Sequence, residues 1–98
     1  KAKGLRLWGT TIIPRHNVIP AGTNSGWNDE KTRIKNQVNQ WILTKAPVDG
    51  VIDFAQVVRD PGNPDLLLPP FNCGDGIHPS TLGYYEMGKW IDLSLFHR

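Results

Sequence analysis

At 98 residues the chain is long enough for one small domain of about two packed layers and too short for a large enzyme core. An apolar fraction of 39% fits a folded, soluble chain, and no apolar stretch approaches the length of a bilayer span. The 11 basic and 9 acidic residues leave a net charge of +2 without a basic run, which excludes an ordinary nucleic-acid stripe, and the single cysteine, Cys73, excludes an internal disulfide and a four-thiolate metal site.

Leu5-Arg-Leu-Trp8 and Gly9-Thr-Thr-Ile-Ile-Pro14 are rich in β-formers, which predicts a strand that Pro14 ends. With no initiating methionine or leader pattern ahead of this strand, the start reads as a cut within a longer protein. From His16 to Trp27, Pro20, Gly22, Asn24, Ser25 and Gly26 spell a loop of a length that often carries function, with Trp27 as the aromatic able to line a pocket.

The period then changes. Ile34, Val38, Trp41 and Ile42 fall at i, i+4, i+7 and i+8, the apolar stripe of a helix running from Asn28 to about Leu43. Asn28 is its expected cap, Asp29 and Glu30 suit the positive end of the helix dipole, and Pro47 lies just beyond its end.

Val48 to Val58 is the second strand candidate, clearest from Val51 to Phe54. Strand, helix, strand is the signature of a crossover in a parallel sheet. Asp60-Pro-Gly-Asn-Pro64 predicts a turn, and Leu66 to Phe71 an ordered loop, because Pro69 and Pro70 remove ladder donors. A last helix is expected from Ser80 or Thr81 to about Phe96, with Tyr84, Met87, Ile91 and Leu95 on one face and Gly83 and Gly88 open to close approach. Trp8, Trp41 and Trp90 are expected in packed positions. Two strands and two helices make only a piece of an α/β sandwich, so exposed sheet edges and a need for a partner chain or further sequence are expected.

Asp75 and His78 stand on the loop entering the last helix. Gly74 and Gly76 allow a sharp turn around Asp75, and Pro79 stiffens the chain beyond His78. An acid so placed can fix the imidazole tautomer and leave the other ring nitrogen as a general base. The same residue types build any loop-to-helix junction, so a purely structural turn stands beside that reading. A metal pair is the weaker alternative, since Cys73 is the only further ligand nearby. No nucleophile stands out: Ser80 suits a cap, Ser94 sits on a helix without a sharp turn, Ser25 has no strained elbow, and nothing marks Cys73 as activated. His16 and His97 read as a loop and a terminal residue.

Asp75-Gly-Ile-His-Pro-Ser-Thr-Leu-Gly-Tyr84, with Met87-Gly88 following, resembles the last conserved block of the SGNH hydrolases, the GDSL-like lipases and acylhydrolases. Gly9-Thr-Thr-Ile-Ile-Pro14, Asn36-Gln-Val-Asn-Gln-Trp-Ile42 and Val51-Ile-Asp-Phe-Ala55 are similar, in order, to segments of that family. The resemblance implies the C-terminal half of a three-layer α/β/α sandwich around a parallel sheet, flavodoxin-like and incomplete as given. It implies Asp75 and His78 as catalytic residues of a serine esterase, Trp27 and Ile77 as pocket residues, a small-molecule ester as substrate, and no cofactor. The family's nucleophilic serine and oxyanion blocks have no counterpart here. The implied partner is therefore the N-terminal half of the domain, and the 98 residues alone are expected to be inactive. The other class is a non-catalytic α/β binding or structural module.

Overall fold

A computed structural model of the chain describes residues 4–15, 28–74 and 76–96. Strand β1 (Trp8–Thr10) and strand β2 (Gly50–Ile52) pair in parallel, Trp8 opposite Gly50 and Thr10 opposite Ile52. Helix α1 (Asp29–Thr44) forms the crossover between them, as the change of period predicts. Asn28 caps α1 by accepting from the Lys31 N–H at 2.9 Å, and the last turn closes through Lys45 and Ala46, whose N–H groups both donate to the Trp41 carbonyl.

The second strand candidate divides in two. Only Gly50–Ile52 is extended; Phe54–Val58 winds into the short helix α2. Asp53 decides this. Its carboxylate accepts from the Gln56 N–H at 3.3 Å and from the Thr11 hydroxyl at 2.8 Å, capping a helix where the apolar run suggests a continuing strand. Strands β3 (Arg59–Asp60) and β4 (Asn63–Leu67) form an antiparallel hairpin whose turn is the predicted Pro61-Gly62. Part of the stretch expected as loop thus belongs to β4, followed by a 3-10 turn at Pro69–Phe71.

Helix α3 (Thr81–Lys89) is shorter than the expected run to Phe96. It ends with Trp90, whose N–H closes on the Glu86 carbonyl, and Asp92 then turns the chain, accepting from both the N–H (3.0 Å) and the hydroxyl (2.7 Å) of Ser94 at the start of a 3-10 turn at Leu93–Phe96. That turn carries Phe96 to Trp8, with ring centroids 5.0 Å apart. Together the described residues form an α/β domain with one parallel pair, one antiparallel hairpin and three α-helices.

The larger correction concerns which face of α1 is inside. Ile34, Val38 and Trp41 are exposed, at 46%, 38% and 51%, whereas Thr32, Lys35 and Asn39 are buried. Three of the four residues of the apolar stripe that identifies the helix therefore face outward, and only Ile42, beside Gly9 of β1, is half-buried. Trp41 and Trp90 are likewise exposed, and only Trp8 of the three tryptophans expected in packed positions is half-buried. Among the described residues Ala55, Val58 and Leu67, with the prolines Pro14 and Pro79, are the buried apolar side chains, while thirteen large apolar side chains remain exposed. Apolar burial alone is therefore a weak clasp for this fold.

Asn39 supplies a stronger one. Its Oδ1 accepts from the Ile12 N–H and its Nδ2 donates to the Ile12 carbonyl, both at 2.8 Å. The side-chain amide satisfies the backbone where β1 has run out of strand, as a neighbouring strand would. Asn39→Ala leaves both Ile12 groups without these bonds and should destabilise the domain by about 2–4 kcal/mol. A lowered denaturant midpoint at unchanged slope is the expected result.

Candidate functional site

The segment around His78 is a loop pinned at both ends. At its neck Asn72 bridges to Pro79, the Cys73 N–H donates to the His78 carbonyl at 3.0 Å, and the Ser80 N–H donates to the Phe71 carbonyl at 2.7 Å. Inside the neck the Asn72 side chain accepts from the N–H groups of Gly74 (2.8 Å) and Gly76 (3.1 Å). Both glycines have positive φ, 126° and 77°, so the sharp turn read from the sequence does use backbone that other residues rarely adopt. Below the loop, α3 packs close. A Cβ added at Gly83 would lie 2.8 Å from the Phe71 carbonyl oxygen and 3.0 Å from Pro79 Cβ, so this glycine sets the distance between helix and loop. Gly88, the other glycine expected to allow close approach, has open space around it.

These contacts present His78 at the surface, three residues before α3, with Ile77 half-buried beside it and Pro79 buried. Asp75 lies outside the described residues, as do Trp27, Ser25, His16 and His97. Among the described candidates for a nucleophile, Ser80 is committed to structure: its hydroxyl donates to the Pro70 carbonyl at 2.8 Å and accepts from the Gly83 N–H at 3.1 Å, the capping role expected of it. Ser94 is held by Asp92. Cys73 is an exposed thiol at the loop neck. No group of three His, Cys, Asp or Glu side chains able to hold a metal occurs among the described residues.

A second polar centre lies behind α1 and was not singled out from the sequence. A cavity of about 250 Å³ is bounded by Lys35 and Asn39 of α1, Thr11, Asp53, and Arg59 and Asp65 of the hairpin. Thr11 organises its floor, donating to Asp53 and accepting from the Ala55 N–H at 2.9 Å. Lys35, 4% exposed, donates to Asn36 Oδ1 at 3.0 Å, and Asn36 in turn donates to Asp65 Oδ1 at 3.1 Å. Loss of hydration holds the Lys35 amine below its usual pKa; Asp65 acts in the opposite direction and Arg59 in the same one. The sequence does carry a signal for this face. Thr32, Lys35 and Asn39 recur at i, i+3 and i+7, a stripe as regular as the apolar one.

The fold and loop define an α/β domain that displays an imidazole on a braced turn ahead of a helix. No protein-family model matches the sequence, and a search of curated proteins finds no match. Among the described residues no helix is long and apolar enough to cross a membrane.

The buried amine sets a pH dependence. Between the lowered folded-state pKa of Lys35 and its ordinary unfolded value, the unfolded chain binds more protons, so stability rises with pH across that window. Lys35→Met should raise the denaturant midpoint at neutral pH, and its advantage should shrink as pH is raised through the window. Midpoints measured for both proteins from neutral to alkaline pH check this.

Proposed function

We propose that the chain acts as an α/β binding and structural module that completes its layers against the rest of an α/β domain, supplied by another chain or by further sequence. The observation that carries this is the outward apolar stripe of Ile34, Val38 and Trp41 on a helix whose buried side is polar. It accompanies a two-stranded parallel sheet, an arrangement that normally has further strands beside it and helices on both faces. The occupant this surface calls for is a protein segment that adds a strand to the sheet and apolar side chains against α1. The isolated chain should bind a hydrophobic dye and self-associate. Val38→Glu with Trp41→Glu should reduce both by several-fold at unchanged circular dichroism, because a charge on the stripe opposes its burial. A dye-silent monomer with wild-type residues would overturn the reading.

A second reading is favoured by the braced presentation of His78. In it the completed domain is a serine esterase of the SGNH type, to which the chain contributes His78 and Asp75. His78 removes the proton from a serine hydroxyl as that oxygen attacks the ester carbonyl, and Asp75 holds the imidazole and offsets its positive charge. The protonated His78 then delivers its proton to the departing alkoxide. Water, deprotonated by His78, releases the acid and restores the serine. The serine and the amides that hold the oxyanion belong to the partner segment in this reading.

In the completed assembly a fluorophosphonate probe should label the partner's serine. His78→Ala should lower labelling and ester hydrolysis by roughly a thousandfold or more while the chain's circular dichroism stays the same. Undiminished hydrolysis in His78→Ala would rule this reading out. The 98 residues alone should take no label.

A further inference from the structure

Neither reading uses the cleft beside α2 and α3. About 560 Å³ in volume, it is lined by Asp53, Gln56, Val57, Phe71, Glu86 and Trp90. Two aromatic and two acidic residues line it, and none of the six lining residues is basic, although the chain as a whole carries a net charge of +2. The volume suits a small organic molecule.

Trp90 is the informative residue. At 65% exposure it contributes little to packing, yet its ring is held: Nε1 donates to Glu86 Oε2, one helical turn earlier, at 2.9 Å. Because that bond engages the edge of the indole, it leaves the π-face uncommitted to the hydrogen bond while keeping a carboxylate next to the ring. Asp53 is fixed as well, by Thr11 and by the Gln56 N–H at the start of α2. Ring and negative charges are thus in place before any ligand arrives, which removes much of the ordering cost of binding.

An exposed aromatic face beside preset carboxylates is the chemistry that selects an organic cation. An anion would meet two like charges, and a metal ion would find only two carboxylates with aromatic and amide neighbours in place of a full oxygen shell. We propose that this cleft binds a small alkylammonium or quaternary ammonium group, with the cation over the Trp90 indole and Glu86 and Asp53 providing the negative field.

The test is an NMR titration of the isotope-labelled 98-residue chain with choline at constant ionic strength, following the Trp90 indole N–H and the Gln56 side-chain amide. Both should shift saturably. The uncharged analogue with carbon in place of the quaternary nitrogen should bind about tenfold more weakly, as expected when a cation–π contact and nearby carboxylates are removed from the balance. Glu86→Gln keeps an oxygen able to accept from Trp90 while removing one charge, and should weaken choline by several-fold at unchanged circular dichroism. Trp90→Leu should abolish the saturable response at Gln56. Equal affinity for choline and its uncharged analogue, or shifts that rise linearly without saturation, would overturn the proposal.

Discussion

The side-chain amide of Asn39 stands where a neighbouring strand would, holding both backbone groups of Ile12. Much of the domain depends on that substitution. β1 is three residues long and is paired by β2; the Thr11 N–H still reaches the Ile52 carbonyl of β2 at 3.2 Å, and from Ile12 onward the backbone must find other partners. Asn39 takes up Ile12, and Thr11 reaches Asp53 and Ala55 at the start of α2. This seam of polar contacts joins the crossover helix, the end of β1 and α2 in one place. It also explains how a domain with few buried apolar side chains keeps α1 in register against the strands, since a bidentate amide is directional and an apolar contact is not.

The same economy shapes the loop that bears His78. Where Asn39 uses both ends of its amide, Asn72 uses one side-chain oxygen for two backbone donors, and Ser80 uses one hydroxyl both to cap α3 and to hold the Pro70 carbonyl. A neck tied by backbone bonds and set on a helix through Gly83 has few ways to move. Such a loop can keep an imidazole in one place whatever its use, and this is why the braced turn serves both a structural reading and an esterase reading. The two differ in what the partner brings.

The outward stripe of α1 and the open two-stranded sheet are one circumstance seen from two sides. Thr32, Lys35 and Asn39 close the inner face, with only Ile42 of the apolar stripe half-buried beside Gly9, so Ile34, Val38 and Trp41 are left on the outer face. A surface of that character is costly in water and favours a covering partner. The cleft containing Trp90 differs in kind. There an exposed aromatic residue lies among carboxylates and is held by one of them, a combination suited to a charged small molecule and poorly suited to apolar packing.

Local chemistry was legible in the residues themselves. Asn28 and Ser80 as caps, the turn at Pro61-Gly62, the two positive-φ glycines and the strand–helix–strand crossover all follow from short-range constraints on φ, ψ and unsatisfied N–H groups. The inner face of α1 was not legible, because period alone shows two regular stripes and cannot say which meets the sheet; long-range bonds from Asn39 to Ile12 and the setting of Lys35 behind the helix choose the polar one. Nor could an apolar run reveal that Asp53 would cap a helix with help from Thr11, 42 positions away. The sequence by itself determined the caps of α1 and α3, the winding of α1 and the hairpin turn, since those depend on neighbours a few residues apart. Only the tertiary structure decided which faces are buried, because burial depends on partners far away along the chain.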